Sequence, residues 1–246
     1  MAISKDLFLA ILSMDAYNRG YDPGIAGLGG SESSVGDSLG NAVVTNENRR
    51  NEAKSAGFYA VAYDTEYGTV ISYRGTDNPD VLLSGEGGSG SDVWQGWITG
   101  LGFMGPQAYL AADFYQAVTG TSESDPRTGS VTLTGHSLGG GLAGLVGALY
   151  HQKATLFNNM PFELAAQEAY TAATRLFPSE MVLEQLYNNL TPWETLIGVN
   201  LHTYAVTGEI LTPGRFDQTT PETYLDSHGG PRLPSELHSQ EFRVIA

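Results

Sequence analysis

The chain has 246 residues, 41% of them apolar, with 31 glycines, no cysteine and a formal net charge of −15. That length and apolar content suit one globular domain over 1–246 with a large core, and the lack of cysteine excludes disulfides and thiolate metal sites. The negative balance argues against binding a nucleic-acid backbone or an anionic membrane, but not against neutral esters or a neutral lipid interface.

The first periodic segment is a helix over 5–19, with Ser4 as its N-cap and Gly20 just past its end. Its continuously apolar run, Leu7 to Leu12, is too short for a secretory core and has Asp6 before it and Asp15 soon after, so neither a cleavable signal nor a membrane span is expected. Residues 21–56 are rich in Gly, Ser and Asn without a clear period. They read as a long irregular connection with a short helix over 46–56. Two strands follow at 58–63 and 69–73, joined by the hairpin-type loop Asp64-Thr65-Glu66-Tyr67-Gly68.

Residues 78–92 read as loop. Trp94, Trp97, Ile98 and Leu101 then recur at helical spacing, which gives an amphipathic helix with two tryptophans on its apolar face. Such a helix packs on a core, or it serves as a lid or acyl-binding element over 78–103. Residues 87–95 match one glycine-rich calcium nonapeptide, but such sites need stacked neighbouring repeats and none occurs. A helix over 104–118 places Leu110, Phe114, Ala117 and Val118 on one stripe, with Pro106 in its first turn. Strands at 130–134 and 154–157 flank an apolar helix, and the helix-rich stretch 161–198 is a second candidate cap, with a capping-box start at Thr191–Glu194. A late strand spans 199–206. Strand and helix alternate through the middle of the chain, which predicts an α/β fold with a mainly parallel central sheet covered by helices on both faces.

Residues 131–141, Val-Thr-Leu-Thr-Gly-His-Ser-Leu-Gly-Gly-Gly, carry the chemistry. A buried strand, a sharp turn and a helix with serine at the tip form a nucleophile elbow, which names Ser137 as nucleophile. The backbone N–H of Leu138 lies beside it, where an oxyanion would form. With so many glycines, G-x-S-x-G also arises by chance, at Gly36-Asp37-Ser38-Leu39-Gly40. That stretch spells the GDSL signature of another esterase family. Ser38 follows a polar, turn-rich run that makes a poor buried strand, and no histidine has aspartate three residues before it, as that family's C-terminal block would need.

A serine hydroxyl needs a base, and the base needs an acid to hold its tautomer. In α/β-hydrolases the order is Ser, acid, His. Glu209, just past the 199–206 strand, is favoured as the acid over Asp217 and Asp226 because a residue at a strand's C-terminal end is held rigidly. His238, with apolar neighbours to anchor it, is favoured as base over His228, which sits in the flexible Ser-His-Gly-Gly-Pro turn. His136 fills the variable position of the elbow and, with Trp94 and Trp97, is a candidate substrate contact. His151 at a helix end and His202 within a strand are read as structural.

A strand ending in Arg74-Gly75-Thr76, followed by Gly135-His-Ser-Leu-Gly-Gly, resembles the class 3 (fungal-type) lipase family of the α/β-hydrolase superfamily. The resemblance covers roughly 58–240 and implies that Thr76 supplies the second oxyanion N–H, with Leu138 as partner. The Tyr204…Gly208-Glu209 run is similar to that family's acid segment, where aspartate is usual, and the terminal Leu-His-Ser to its histidine segment. The acid-to-histidine spacing is shorter than the family's. The expected function is a carboxylic ester hydrolase, lipase or esterase, working through an acyl-enzyme without metal or organic cofactor. Phospholipase A1, polyester hydrolase and acyltransferase are alternatives within the class, and a non-enzymatic α/β-hydrolase-like interaction domain lies outside it.

Overall fold

The computed structural model describes residues 3–20, 35–48, 50–75, 106–120, 131–150, 152–163, 165–166, 200–206 and 222–225. Helix α1 (Lys5–Asp15) opens the chain and leads into a 3-10 turn, Ala16–Asn18. Strands β1 (Ser38–Leu39) and β2 (Ala42–Glu47) precede the short helix α2 (Asn51–Ser55). The hairpin β3 (Ala60–Thr65) and β4 (Gly68–Tyr73) follows. After it come helix α3 (Pro106–Thr119), strand β5 (Val131–His136) and helix α4 (Leu138–Tyr150). Strands β6 (Lys153–Phe157), β7 (Leu201–Val206) and β8 (Glu222–Leu225) complete the described set.

All eight strands join one sheet in chain order, β1 to β8. From β4 to β8 every pairing is parallel, whereas β1–β2, β2–β3 and β3–β4 are antiparallel. The sheet is therefore mixed, and the expected mainly parallel sheet is corrected. The cause is local. Thr65 pairs with Gly68, so only two residues turn the β3–β4 connection. A turn that short can join only antiparallel strands, since a parallel crossover needs a dozen residues or more. The segment read as irregular also contributes β2, whose residues 42–45 alternate buried and exposed. Ala, Thr and Asn in place of large apolar residues hide that alternation from a composition-based reading. Strand β8 likewise falls where only loop was expected.

Alternate residues of the central strands point to opposite faces, and each face is covered. Tyr59, Val61, Tyr63, Val70 and Phe157 pack with Phe8, Leu9 and Leu12 of α1. Ala60, Ala62, Ile71, Tyr73, Leu133 and Leu156 pack with α3 and α4. Helices thus lie on both faces, as the alternation of elements predicted. The N-cap of α1 is as expected: the Ser4 hydroxyl accepts from the Leu7 N–H at 3.2 Å. On α3 the buried stripe runs through Gln107, Ala108, Ala111, Phe114 and Tyr115. It is displaced from the one the apolar spacing predicted, and Ala117 is exposed. The Gln107 amide reaches the Ala56 carbonyl at 2.6 Å, which draws that flank of the helix inward.

The face under α1 is partly polar, and its hydroxyls pair. Ser13 and Thr134 lie 2.7 Å apart, Thr134 donates to the Thr155 carbonyl at 2.9 Å, and Ser72 donates to the Leu12 carbonyl at 3.2 Å. The first and last of these bonds join α1 to β5 and β4, and the second joins β5 to β6, at positions where an unmatched buried hydroxyl would be costly. Among the described residues no helix is long and apolar enough to cross a membrane.

Candidate active site

Every residue of β5 is buried, and the strand runs between β4 and β6 in the parallel half of the sheet. It stops at Ser137, whose φ is +56°. Left-handed backbone is uncommon outside glycine and marks a constrained turn. The surroundings hold Ser137 there from both sides. Its N–H donates to the Phe157 carbonyl at 3.0 Å, and its carbonyl accepts from Gly141 at 3.1 Å and from Met160 at 2.9 Å. The Gly141 bond closes the first turn of α4, so the N–H groups of Leu138 to Gly140 precede that turn at the positive end of the helix dipole. Ser137 itself is 9% exposed.

The glycines around the serine are set by close packing. A Cβ at Gly135 would run into the Gly139 backbone, and one at Gly139 would run into the Tyr73 carbonyl and the Arg74 backbone. The start of α4 thus lies directly against the end of β4. This is a strand–turn–helix with a polar tip, the geometry in which a serine hydroxyl is presented beside unpaired helix N–H donors.

A loop from the next strand buttresses the turn. Asn158 also takes a positive φ, +40°, and its N–H donates to the Tyr204 carbonyl at 2.8 Å. The Asn159 amide donates to the Met160 carbonyl at 3.1 Å and accepts from the Thr203 hydroxyl at 3.0 Å. Thr203→Val removes that buried donor while keeping the shape. The expected cost is about 1–3 kcal/mol, read as a lower urea midpoint with an unchanged slope.

The sequence missed the part played by the N-terminal segment. The Tyr17 hydroxyl lies 3.0 Å from His136 Nδ1, and Arg74, 1% exposed at the end of β4, donates from Nη1 to the Arg19 carbonyl at 3.3 Å. The Arg74 guanidinium also stacks over the Tyr59 ring, 5.0 Å from its centroid. Arg19 pairs with Asp15 and lies 3.6 Å from Asp37, while Tyr63 donates to Asp15 at 2.8 Å. Burial works against the Arg19 charge, but the hydrogen bond and charge of Asp15 outweigh it, and its pKa is raised. Burial also lifts the Tyr63 pKa well above the usual phenol value, with Asp15 adding to the effect. These contacts join residues 15–19 to positions up to 119 apart in sequence, and no local pattern marks them.

The structure places Ser137, Leu138 and His136 together at the strand–helix junction. His136 is 5% exposed and contacts Tyr17. Ser38 is exposed on β1, at the far antiparallel edge of the sheet, without a helix after it. Thr76, Trp94, Trp97, Glu209, Asp217, Asp226, His228 and His238 lie outside the described residues, as do the 78–103 segment and most of 161–198. Gly75, directly before Thr76, is described and sits against His136. His202 packs edge-on against Tyr204 within β7, 4.8 Å between centroids. Among the described residues no group of His, Asp or Glu could hold a metal ion.

No curated protein gives a significant match to the chain. Residues 9–220 match a phospholipase-like family, described as the Tle-like phospholipase domain. The match begins within α1 and spans the β3–β4 hairpin, the strand–turn–helix at Ser137 and strands β6 and β7. The α/β sheet, the buried strand ending at Ser137 and that match over most of the sequence agree, and the chain belongs to the Tle-like phospholipase domain family.

Proposed function

We propose that this protein is a serine hydrolase of the α/β-hydrolase type that cleaves an acyl ester of a phospholipid, with Ser137 as nucleophile. The observation that carries the reading is the left-handed turn at Ser137, between a buried parallel strand and a helix N-terminus, in a chain of a phospholipase-like family. The resemblance of the Arg74-Gly75-Thr76 and Gly-His-Ser-Leu-Gly-Gly motifs to class 3 lipases supports the same chemistry and assigns Thr76 and Leu138 as oxyanion donors. Glu209 is the favoured acid, ahead of Asp217 and Asp226, and His238 the favoured base, ahead of His228. Trp94 and Trp97, with His136, are candidate substrate contacts, the two tryptophans on a helix that either packs on the core or serves as a lid or acyl-binding element.

In this scheme the base takes the Ser137 proton as Oγ forms a bond to the acyl carbonyl carbon. The carbonyl π electrons move onto oxygen, and the N–H groups of Leu138 and Thr76 hold the oxyanion. Collapse breaks the bond to the lysophospholipid oxygen, which leaves with the proton from the base. Water repeats the sequence on the acyl-enzyme, releasing a fatty acid and restoring the serine.

A fluorophosphonate probe tests this directly. The expected result is one covalent adduct on the peptide containing Ser137, with loss of fatty-acid release from phosphatidylcholine vesicles in step with labelling. An inert interaction domain would stay unlabelled. Labelling accompanied by release from triacylglycerol emulsions, but not from phosphatidylcholine, would keep the nucleophile and overturn the phospholipid assignment.

A further inference from the structure

One buried hydroxyl beside the elbow has no part in the scheme above. Tyr17 follows α1 in the 3-10 turn and is 8% exposed. Its oxygen lies 3.0 Å from His136 Nδ1 and 3.4 Å from the His136 carbonyl oxygen. Its ring tilts against the imidazole with centroids 6.0 Å apart. A phenol has one proton to give and can also accept, so this hydroxyl can serve His136 in either imidazole tautomer.

The same oxygen packs against the other side of the site. A Cβ at Gly75 would run into the Tyr17 hydroxyl and the His136 carbonyl at once. One atom therefore touches both the residue before Ser137 and the strand end Arg74–Gly75. A second tether runs in parallel, from Arg74 Nη1 to the Arg19 carbonyl at 3.3 Å. Residues 15–19 are in turn held by the Asp15–Arg19 pair and the Tyr63 bond to Asp15. A fixed bracket thus spans the two backbone segments on either side of the serine, whose separation decides how well an oxyanion is held.

We propose that Tyr17 is a positioning residue for the Ser137 site: its hydroxyl, lodged between His136 and Gly75, sets the spacing of the elbow relative to the β4 strand end. This rests on the reading of Ser137 as nucleophile. The described contacts of the Tyr17 hydroxyl are with His136 and Gly75, and it acts through the two segments it separates.

The test is Tyr17→Phe in the full chain, which keeps the ring and removes the hydroxyl. Hydrolysis of p-nitrophenyl butyrate is measured, with kcat expressed per serine titrated by fluorophosphonate. The expected result is a kcat per titrated serine lowered about tenfold to a hundredfold with KM unchanged, because the loss falls on the transition state. A purely structural tyrosine would lower the number of titratable serines or the melting temperature and leave kcat per titrated serine at the wild-type value, and that result overturns the proposal. His136→Gln removes the imidazole partner from the other side and carries the test alone if Tyr17→Phe does not fold. Its expected loss in kcat is of similar size, and the double variant loses no more than either single one, since both act through one contact. Independent, multiplying losses would overturn the proposal. Absence of wild-type labelling at Ser137 overturns the hydrolase reading and this inference together, whereas wild-type labelling with an unchanged Tyr17→Phe overturns this inference alone.

Discussion

Ser137→Ala is expected to lower ester turnover by about ten-thousandfold to a millionfold while the fold survives. The substitution removes one oxygen from a side chain that is only 9% exposed, and it leaves every backbone bond at the turn in place. Stability should therefore change little. An Ala at φ +56° bears the same left-handed conformation that serine already bears, because the Gly141, Met160 and Phe157 bonds fix it. What is lost is the covalent route. Any residual rate would come from donors that still polarise the carbonyl for attack by water. The measurement is kcat and KM on phosphatidylcholine and on p-nitrophenyl esters, with circular dichroism to show that the variant is folded. Activity retained within tenfold would remove Ser137 from the mechanism.

Gly139→Ala is expected to damage both stability and turnover. The new methyl would run into the Tyr73 carbonyl and the Arg74 backbone. Flexible side chains yield to such a clash, but here the obstruction is backbone of a central strand. That strand is bonded on both sides, to β3 and to β5. Overpacking of this kind costs about 1–3 kcal/mol and occasionally more. The better helix propensity of alanine returns less than about 1 kcal/mol. Relief requires α4 to move away from β4, which carries the Leu138 N–H away from the Arg74–Gly75 strand end. A displacement on the scale of an ångström is enough for about a hundredfold loss in kcat. Urea unfolding and steady-state kinetics on the same sample would show whether the two losses occur together. A variant as stable and as active as the parent would show that the elbow does not need its close approach to β4.

The strand–turn–helix at Ser137 was legible in the sequence because everything that makes it is local. The apolar strand, the small residues at 135 and 139 and the apolar helix all lie within twenty residues. The strands at β3 to β7 were found for the same reason, each being a short apolar run between turn-forming residues. The mixed character of the sheet was not read, because β2 presents Ala42, Val44 and small polar residues where a strand is normally announced by large ones. The bracket formed by Tyr17, Arg19 and Arg74 could not be read at all. Its contacts join residues 55 to 119 positions apart, and a tyrosine or arginine near a helix end is unremarkable until the sheet brings the two regions together. The acid and base pose the same difficulty. Glu209 and His238 rest on chain order and on the rigidity of neighbouring segments, which rank candidates without bringing side chains into contact.

The docking of α1 on β5 also bears on how the protein assembles. The bonds Ser13–Thr134 and Lys5–Thr132 close loops of 121 and 127 residues. The strands from β2 to β4 pair with near neighbours in the chain and can zip together early. During synthesis the apolar residues of α1 leave the ribosome on the order of ten seconds before β5 and Phe157 complete the face that receives the helix. Until then Phe8, Leu9 and Leu12 lack a full partner surface and are open to chaperones or to self-association. Because residues 15–19 reach the strand–helix junction only through this late docking, the surroundings of Ser137 are completed among the last events of folding. A nascent or misassembled chain would then be catalytically silent, and its lipolytic activity would report that folding had finished.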